Sequence, residues 1–286
     1  MAKKKKFETI AIHTGNEPDA VTGSISPSIH LTSTYAQDGI GKNKGYDYSR
    51  GGNPTRTRLE KNIAALEGGC DAIAFASGMA ATTALFQGLK KGDHVIVSRN
   101  VYGGTYRMAT QVLKYHGIDF DFVDTTNVEN IKQKIKPDTK WVFIETPTNP
   151  MLEITDIQEV SAICNEPKIK LAVDNTFMSS YGQRPLEYGA DCVMHSSTKF
   201  ISGHSDVLGG VLVAKDEALA ERLHFIQKSG GAVPSPFDSW LLLRSVKTMS
   251  MRVQKASDNA MVLACLLYTS DAADDTPCVD LGGRRI

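Results

Sequence analysis

Three short runs hold the side chains most able to do chemistry together. Ser77-Gly78-Met79 follows the apolar run 72–76 and opens a helix-length stretch. A turn of that kind gathers unpaired backbone N–H groups and the positive end of a helix dipole at one point, which makes an anion seat. It is equally an ordinary Ser N-cap and tight turn. Val173-Asp174-Asn175 ends a second apolar run, where a carboxylate must face solvent, cap the next turn or meet a cation. His195-Ser196-Ser197-Thr198-Lys199 ends a third and supplies hydroxyls and an amine. Pyridoxal phosphate (PLP) needs an amine to condense with its aldehyde, a carboxylate to keep its ring nitrogen protonated, and hydroxyl and N–H donors for its phosphate. Lys199, Asp174, Ser196, Thr198 and the seat at Gly78 meet these needs as a set, although no one of them does so alone.

Positioning these residues is the work of an α/β pattern. Short β-rich runs at 72–76, 94–97, 120–123, 141–145, 171–173, 192–195 and 211–214 alternate with helix-length stretches at 78–89, 105–115, 128–135, 156–164 and 216–228. Apolar strands separated by amphipathic helices imply a largely parallel sheet covered on both faces. Ligands in such sheets sit at the carboxyl ends of the strands, which is where the three runs fall. Before residue 59 the chain is rich in Gly, Ser, Thr, Pro and Tyr without a sustained period, and it is too long for a plain loop. It reads as an arm lying on something else. An amphipathic helix is expected over 252–264.

Composition narrows the field. With 286 residues, 41% of them hydrophobic, the chain can form one large core and a smaller attachment. Its 32 basic and 32 acidic residues leave no surplus charge for nucleic acid or anionic lipid, and the one basic run, Lys3 to Lys6, reads as a solvated end. No apolar stretch approaches a membrane span and no leader opens the chain, so a cytoplasmic protein is expected. Cys70, Cys164, Cys192, Cys265 and Cys278 lack the close pairing of a zinc site and are expected as free thiols, with Cys192 in the core; no metal site is expected.

Several further blocks appear in order: Tyr48-Ser49-Arg50-Gly51-Gly52-Asn53-Pro54-Thr55-Arg56, Val101-Tyr102-Gly103-Gly104-Thr105, Glu145-Thr146-Pro147-Thr148-Asn149-Pro150, Asp174-Asn175-Thr176-Phe177, and Gly203-His204-Ser205-Asp206 after Lys199. Together with Ser77-Gly78-Met79 they resemble the successive signatures of the cystathionine γ-synthase and γ-lyase family of Cys/Met metabolism PLP enzymes, over about residues 7 to 264. The resemblance implies an aspartate aminotransferase-like, fold type I PLP-transferase large domain with a mainly parallel seven-stranded sheet, its C-terminal small domain missing. It implies that Lys199 holds PLP and shuttles protons, Asp174 pairs with the ring nitrogen, and Tyr102 stacks on the ring. Gly78, Met79, Ser196 and Thr198 would hold the phosphate, with Thr176 also at the cofactor. Asn149 would contact the ring hydroxyl region and the substrate carboxylate. Arg107 is a candidate for the distal carboxylate of cystathionine, the alternative being an exposed Arg on a helix face. Tyr48 and Arg50 would reach the phosphate of a neighbouring subunit, in a homodimer or homotetramer whose sites are shared; the alternative is that they anchor the arm to its own chain. A bidentate guanidinium suits a phosphate dianion.

The reaction implied is γ-elimination on cystathionine, a carbon–sulfur lyase step in transsulfuration giving cysteine, α-ketobutyrate and ammonia. The alternatives are γ-replacement of an activated homoserine by cysteine, an aminotransferase of the same fold, or a PLP-binding chain without turnover. Gly104 stands where methionine γ-lyases carry Cys, Phe177 where cystathionine β-lyases tend to carry Trp, and Gly231 to Pro236 looks most like γ-lyases. The expected organisation is an arm over 1–58 and a PLP-binding domain over 59–264. Residues 265–286, read back into codons, resemble sequencing adapters and are expected to be an assembly artefact. Arg284 and Arg285 lie there and are given no role as the substrate-carboxylate arginine.

Overall fold

The computed structural model describes residues 6–269 apart from 167. Lys3 to Lys5, Cys278, Arg284, Arg285 and most of the expected artefact lie outside the described residues.

Seven strands form one sheet: β1 (Asp71–Phe75), β2 (His94–Ser98), β3 (Asp119–Val123), β4 (Thr139–Glu145), β5 (Lys170–Asp174), β6 (Cys192–His195) and β7 (Gly210–Ala214), in the spatial order β1-β7-β6-β5-β4-β2-β3. From β3 to β6 neighbouring strands are parallel, and β7 runs antiparallel to both β6 and β1. All seven expected runs are strands, within a residue or two at their ends. Val, Ile, Phe and Ala dominate them because both faces are covered, so β2 and β7 are buried along their whole length.

The helices are α1 (Phe7–His13), α2 (Pro54–Glu67), α3 (Gly78–Gln87), α4 (Gly103–Gln111), α5 (Val128–Lys134), α6 (Ile157–Asn165), α7 (Ser179–Gly182), α8 (Glu217–Gly230), α9 (Pro236–Val246) and α10 (Met249–Thr269). α3 and α8 bury Ala81, Leu85, Phe86, Leu219 and Leu223 on one face against β1, β6 and β7. On the other face α2, α9 and the start of α10 pack Leu59, Ile63, Leu242 and Met249, while α5 and α6 cover the β2 to β5 end. Cys192 is fully buried in the first cluster, as expected for a core residue, and burial pushes its thiol up to about 12. Among the described residues no helix is long and apolar enough to cross a membrane.

Helix ends follow their capping residues. Asn53 caps α2 by accepting from the Thr55 N–H, with Pro54 at the first helical position and Gly68 ending the helix at φ 79°. Asp156 and Asp216 cap α6 and α8 in the same way. The helix expected over 105–115 divides: Val112 leaves helical geometry at φ −124°, and a 3₁₀ turn over Leu113–His116 finishes it.

Two expected domain boundaries fall inside helices. The one at 58/59 cuts α2, which begins at Pro54 because the capping signal lies there, and the one at 264/265 cuts α10, which runs on to Thr269. The remaining arm is not wholly irregular, since α1 docks on α2 through the buried Ala11. The rest is tied to its own chain at intervals: Trp240 Nε1 donates to the Pro27 carbonyl (3.1 Å) and Asn53 Nδ2 to the His30 carbonyl (3.0 Å). Around these ties Val21, Ile25, Leu31 and Ile40 are almost fully exposed.

Candidate active site

The parallel register of β4, β5 and β6 brings three polar chain segments to one edge. Glu145 at the end of β4 is the register partner of Asp174 at the end of β5, and Asp174 that of Met194, two residues before Ser196. These strand ends and the start of α3 enclose a cavity of about 410 Å³ lined by Ser77, Gly78, Met79, Tyr102, Glu145, Asn149, Asp174, Thr176, Phe177, Met194, Ser196, Thr198, Lys199, Phe200 and Leu208. That volume lies in the range of roughly 300–1,000 Å³ common for small-molecule sites. A wider groove of about 1330 Å³ shares Thr198, Lys199, Phe200 and Leu208 with it and has α10 as its far wall.

Each wall has a local cause. At the start of α3 the Ser77 hydroxyl caps the helix by accepting from the Ala80 N–H (3.1 Å), while Gly78 and Met79 present their own N–H groups at the cavity. Position 78 must be glycine for steric reasons: a Cβ there would lie 2.8 Å from Ser196 Cβ and 2.9 Å from its Oγ. The Ser196 N–H donates to Thr176 Oγ1 (2.8 Å), and the Thr176 N–H donates to Asp174 Oδ1 (3.0 Å), so the loops after β5 and β6 are laced together. Thr198 Oγ1 accepts from the Gly209 N–H (3.0 Å) and sits 3.3 Å from the Gly209 carbonyl, which commits its hydroxyl to the chain as well as to the cavity wall.

Two carboxyl groups dominate the electrostatics. Asp174 is 6% exposed, and burial raises its carboxyl above the usual range against the lowering effect of its hydrogen bonds to Thr176. Glu145 is 5% exposed; burial, then the neighbouring Asp174 charge, push it up to about 7. A buried carboxylate in this state is poised to take a cation. Behind the sheet, His195 Nε2 meets Glu67 Oε1 at 2.5 Å, and Asn175 Nδ2 also donates to Glu67 (3.2 Å). His195 is therefore a core residue and does not line the cavity.

Of the expected site residues, Gly78, Met79, Tyr102, Asn149, Asp174, Thr176, Ser196, Thr198 and Lys199 share the cavity wall. Lys199 is exposed and lies where cavity and groove meet. Three expected residues lie elsewhere. Arg107 is exposed on α4, its Nη1 3.8 Å from where a Gly103 Cβ would be, beside the cavity and outside its lining. Tyr48 and Arg50 are exposed on the arm: the Arg50 guanidinium sits over the Tyr48 ring at 5.4 Å and donates to the Lys228 carbonyl (3.2 Å). Within a single chain the pair anchors the arm to the end of α8.

Two residues of the site have no role in the sequence reading. Glu145 was visible only as the first residue of a motif, since nothing local says that a carboxylate will accept N–H groups from distant loops. Arg252 on α10 donates to the carbonyls of Phe200 (2.8 Å), Ile201 (3.4 Å) and Ser245 (2.9 Å), fixing the chain just after Lys199. Its signal was an Arg in an amphipathic stretch, which is commonplace.

The donor set fits PLP. The paired N–H groups at a helix start and the Ser196 hydroxyl suit a phosphate. The buried Asp174 suits a ring cation, the half-exposed Tyr102 ring offers a flat face, and Lys199 offers an amine at the mouth. Comparison with known proteins agrees. The model of the Cys/Met metabolism PLP-dependent enzyme family matches residues 8–279. A probable cystathionine gamma-synthase of Herpetosiphon aurantiacus is 49% identical over 91% of this chain and 82% of its own length. A cystathionine gamma-lyase of Bacillus subtilis is 48% identical over 93% of this chain and 70% of its own. The crystal structure of cystathionine gamma-lyase from Lactobacillus plantarum complexed with L-serine superimposes with a TM-score of 0.91 at 44% identity, covering 93% of this chain and 69% of that one. Matched along nearly all of its length by family model, relatives and fold alike, the chain belongs to the Cys/Met metabolism PLP-dependent enzymes, and its cofactor is pyridoxal phosphate.

Proposed function

We propose that the protein is a cytoplasmic carbon–sulfur lyase that carries out γ-elimination on cystathionine, yielding cysteine, α-ketobutyrate and ammonia. The observation that carries this reading is the convergence of Lys199, Asp174, Tyr102 and the Gly78/Met79 N–H groups on one cavity. Bound PLP supplies an electron sink for the carbon next to the amino group of the substrate. Lys199 would hold the cofactor through Nζ, and its amine is placed to take the substrate's α-proton and to return protons to the substrate. Asp174 keeps the ring nitrogen protonated by offering a desolvated negative charge. Gly78, Met79, Ser196 and Thr198 would hold the phosphate, and Tyr102 would face the ring. Thr176 orients Asp174 and Ser196 through its two hydrogen bonds. Asn149 at the wall and Arg107 beside it meet the substrate's two carboxylates.

Position 104 bears on selectivity. A Cβ at Gly104 would stand 2.6 Å from both Met79 Sδ and Tyr102 Cε1, so any larger residue must move the Tyr102 ring. Its absence supports a site unlike that of methionine γ-lyases. A second reading, γ-replacement on an activated homoserine, is favoured by the 49% identity to a probable cystathionine gamma-synthase. In either reading Tyr48 and Arg50 complete the phosphate site of a neighbouring subunit in a homodimer or homotetramer.

Incubating the PLP-loaded chain with cystathionine, and separately with an O-acylhomoserine plus cysteine, separates the readings. α-Ketobutyrate from the first mixture is the expected result. Cystathionine from the second, with no keto acid from the first, assigns the replacement reaction instead. PLP binding with neither product leaves a cofactor-binding chain without turnover.

A further inference from the structure

Glu145 has no part in the roles just given, yet its carboxylate ties two separate segments of the cavity wall together. It ends β4, it is 5% exposed, and each of its oxygens accepts a backbone N–H from a different loop. Oε2 accepts from Tyr102 (2.7 Å), 43 residues earlier in the chain, and Oε1 accepts from Asn149 (2.9 Å). Tyr102 is the N-cap residue of α4 and its side chain makes no capping bond; its N–H is held by the carboxylate, and its carbonyl accepts from the Tyr106 N–H (3.2 Å). Its ring is half exposed at the cavity and packs closely over Gly104.

We propose that Glu145 is a positioning residue that clamps Tyr102 and Asn149 in place, so that one carboxylate sets both the ring and the amide that face the bound cofactor. This rests on the reading of the cavity as a PLP site. Charge-assisted N–H bonds of this kind are short and strong, and these two part-buried N–H groups lose them with the carboxylate. The carboxylate form is needed because the two N–H groups approach different oxygens, and a side-chain amide of the same size sets an NH2 donor against one of them. Glu145 also faces Asp174 across the register, with Lys199 at the mouth of the same cavity and His195 behind Asp174. Burial, then the neighbouring Asp174 charge, push the Glu145 carboxyl up to about 7, so a ring cation settling on Asp174 favours its charged, doubly accepting form. Cofactor binding and the clamp then reinforce each other.

The test uses the full chain and PLP, followed by the absorption of the lysine-bound cofactor. Glu145→Gln is expected to raise the PLP dissociation constant roughly tenfold. In a Tyr102→Ala/Asn149→Ala background the same substitution should cost less than about twofold, because what it positions has gone. Equal losses in both backgrounds, or no loss in either, overturn the clamp while leaving the PLP site intact. Amide exchange in the cofactor-free chain gives a separate readout: the Tyr102 and Asn149 N–H groups should be protected, and at least one should exchange about tenfold faster in the Gln variant. Unchanged exchange overturns the clamp whether or not PLP binds. Should Glu145→Gln fail to fold, Glu145→Asp keeps the charge, shortens the reach and must show the same loss.

Discussion

At the scale of single residues, burial decides how the site responds to pH. Glu145 titrates at about 7 in the folded chain against 4.5 for an ordinary glutamate, and Asp174 is raised in the same direction. A folded state that holds these protons more tightly than the unfolded chain gains stability from them below pH 4.5 and loses it as pH rises through about 7. The cofactor-free protein should therefore lose thermal stability between those values. Glu145→Gln should show a shallower dependence, since it removes one group and lightens the charge on the other. Melting temperatures across this window check the point, and parallel slopes for the two proteins would contradict it. His224, raised by its bond to Asp71, titrates in the same direction but is common to both proteins and cancels in the comparison.

At the scale of elements, the site depends on how closely α3 approaches the loop after β6. Gly78→Ala places a methyl group 2.8 Å from Ser196 Cβ, and Ser196 cannot give way cheaply because its own N–H is bonded to Thr176. The helix start must shift off the loop, with the phosphate seat displaced. PLP affinity should fall at least tenfold while the melting temperature of the cofactor-free chain changes by only a few degrees. Affinity equal to wild type would remove Gly78 from the phosphate site. The same packing explains what could be read beforehand. Strand ends were legible because each apolar run is followed by chemically distinct residues: Asp174 ends β5, and Ser77 and Lys199 stand in the loops after β1 and β6. The start of α2 fell within the stretch read as an arm, because the residues before Asn53 carry no period, whereas Asn53-Pro54 is the capping signal. α1 is too short to show a period, and the Glu145 contacts join loops 43 residues apart, which no local pattern encodes.

At the scale of the whole molecule, the arm is the part that a single chain explains least. It is tied down at Pro27, His30 and Asn53, yet Val21 and Ile25 before those ties and Leu31 and Ile40 between them are left in water. Scattered exposed apolar residues are common, but a run of them on a segment with its own anchors suits a subunit contact. Sedimentation at rising concentration should give a dimer or tetramer, and a monomer at all concentrations would withdraw the shared-site reading of Tyr48 and Arg50. The cavity itself requires no partner residue for its floor, since Lys199, Asp174 and the α3 start come from one chain. The most direct test of the account is the visible absorption of the purified chain with added PLP, compared with Lys199→Ala. A band of lysine-bound cofactor in the wild type alone is the predicted result. A folded wild-type chain that gives no such band, or a Lys199→Ala variant that gives the same one, would contradict the assignment of Lys199 and of the cavity around it.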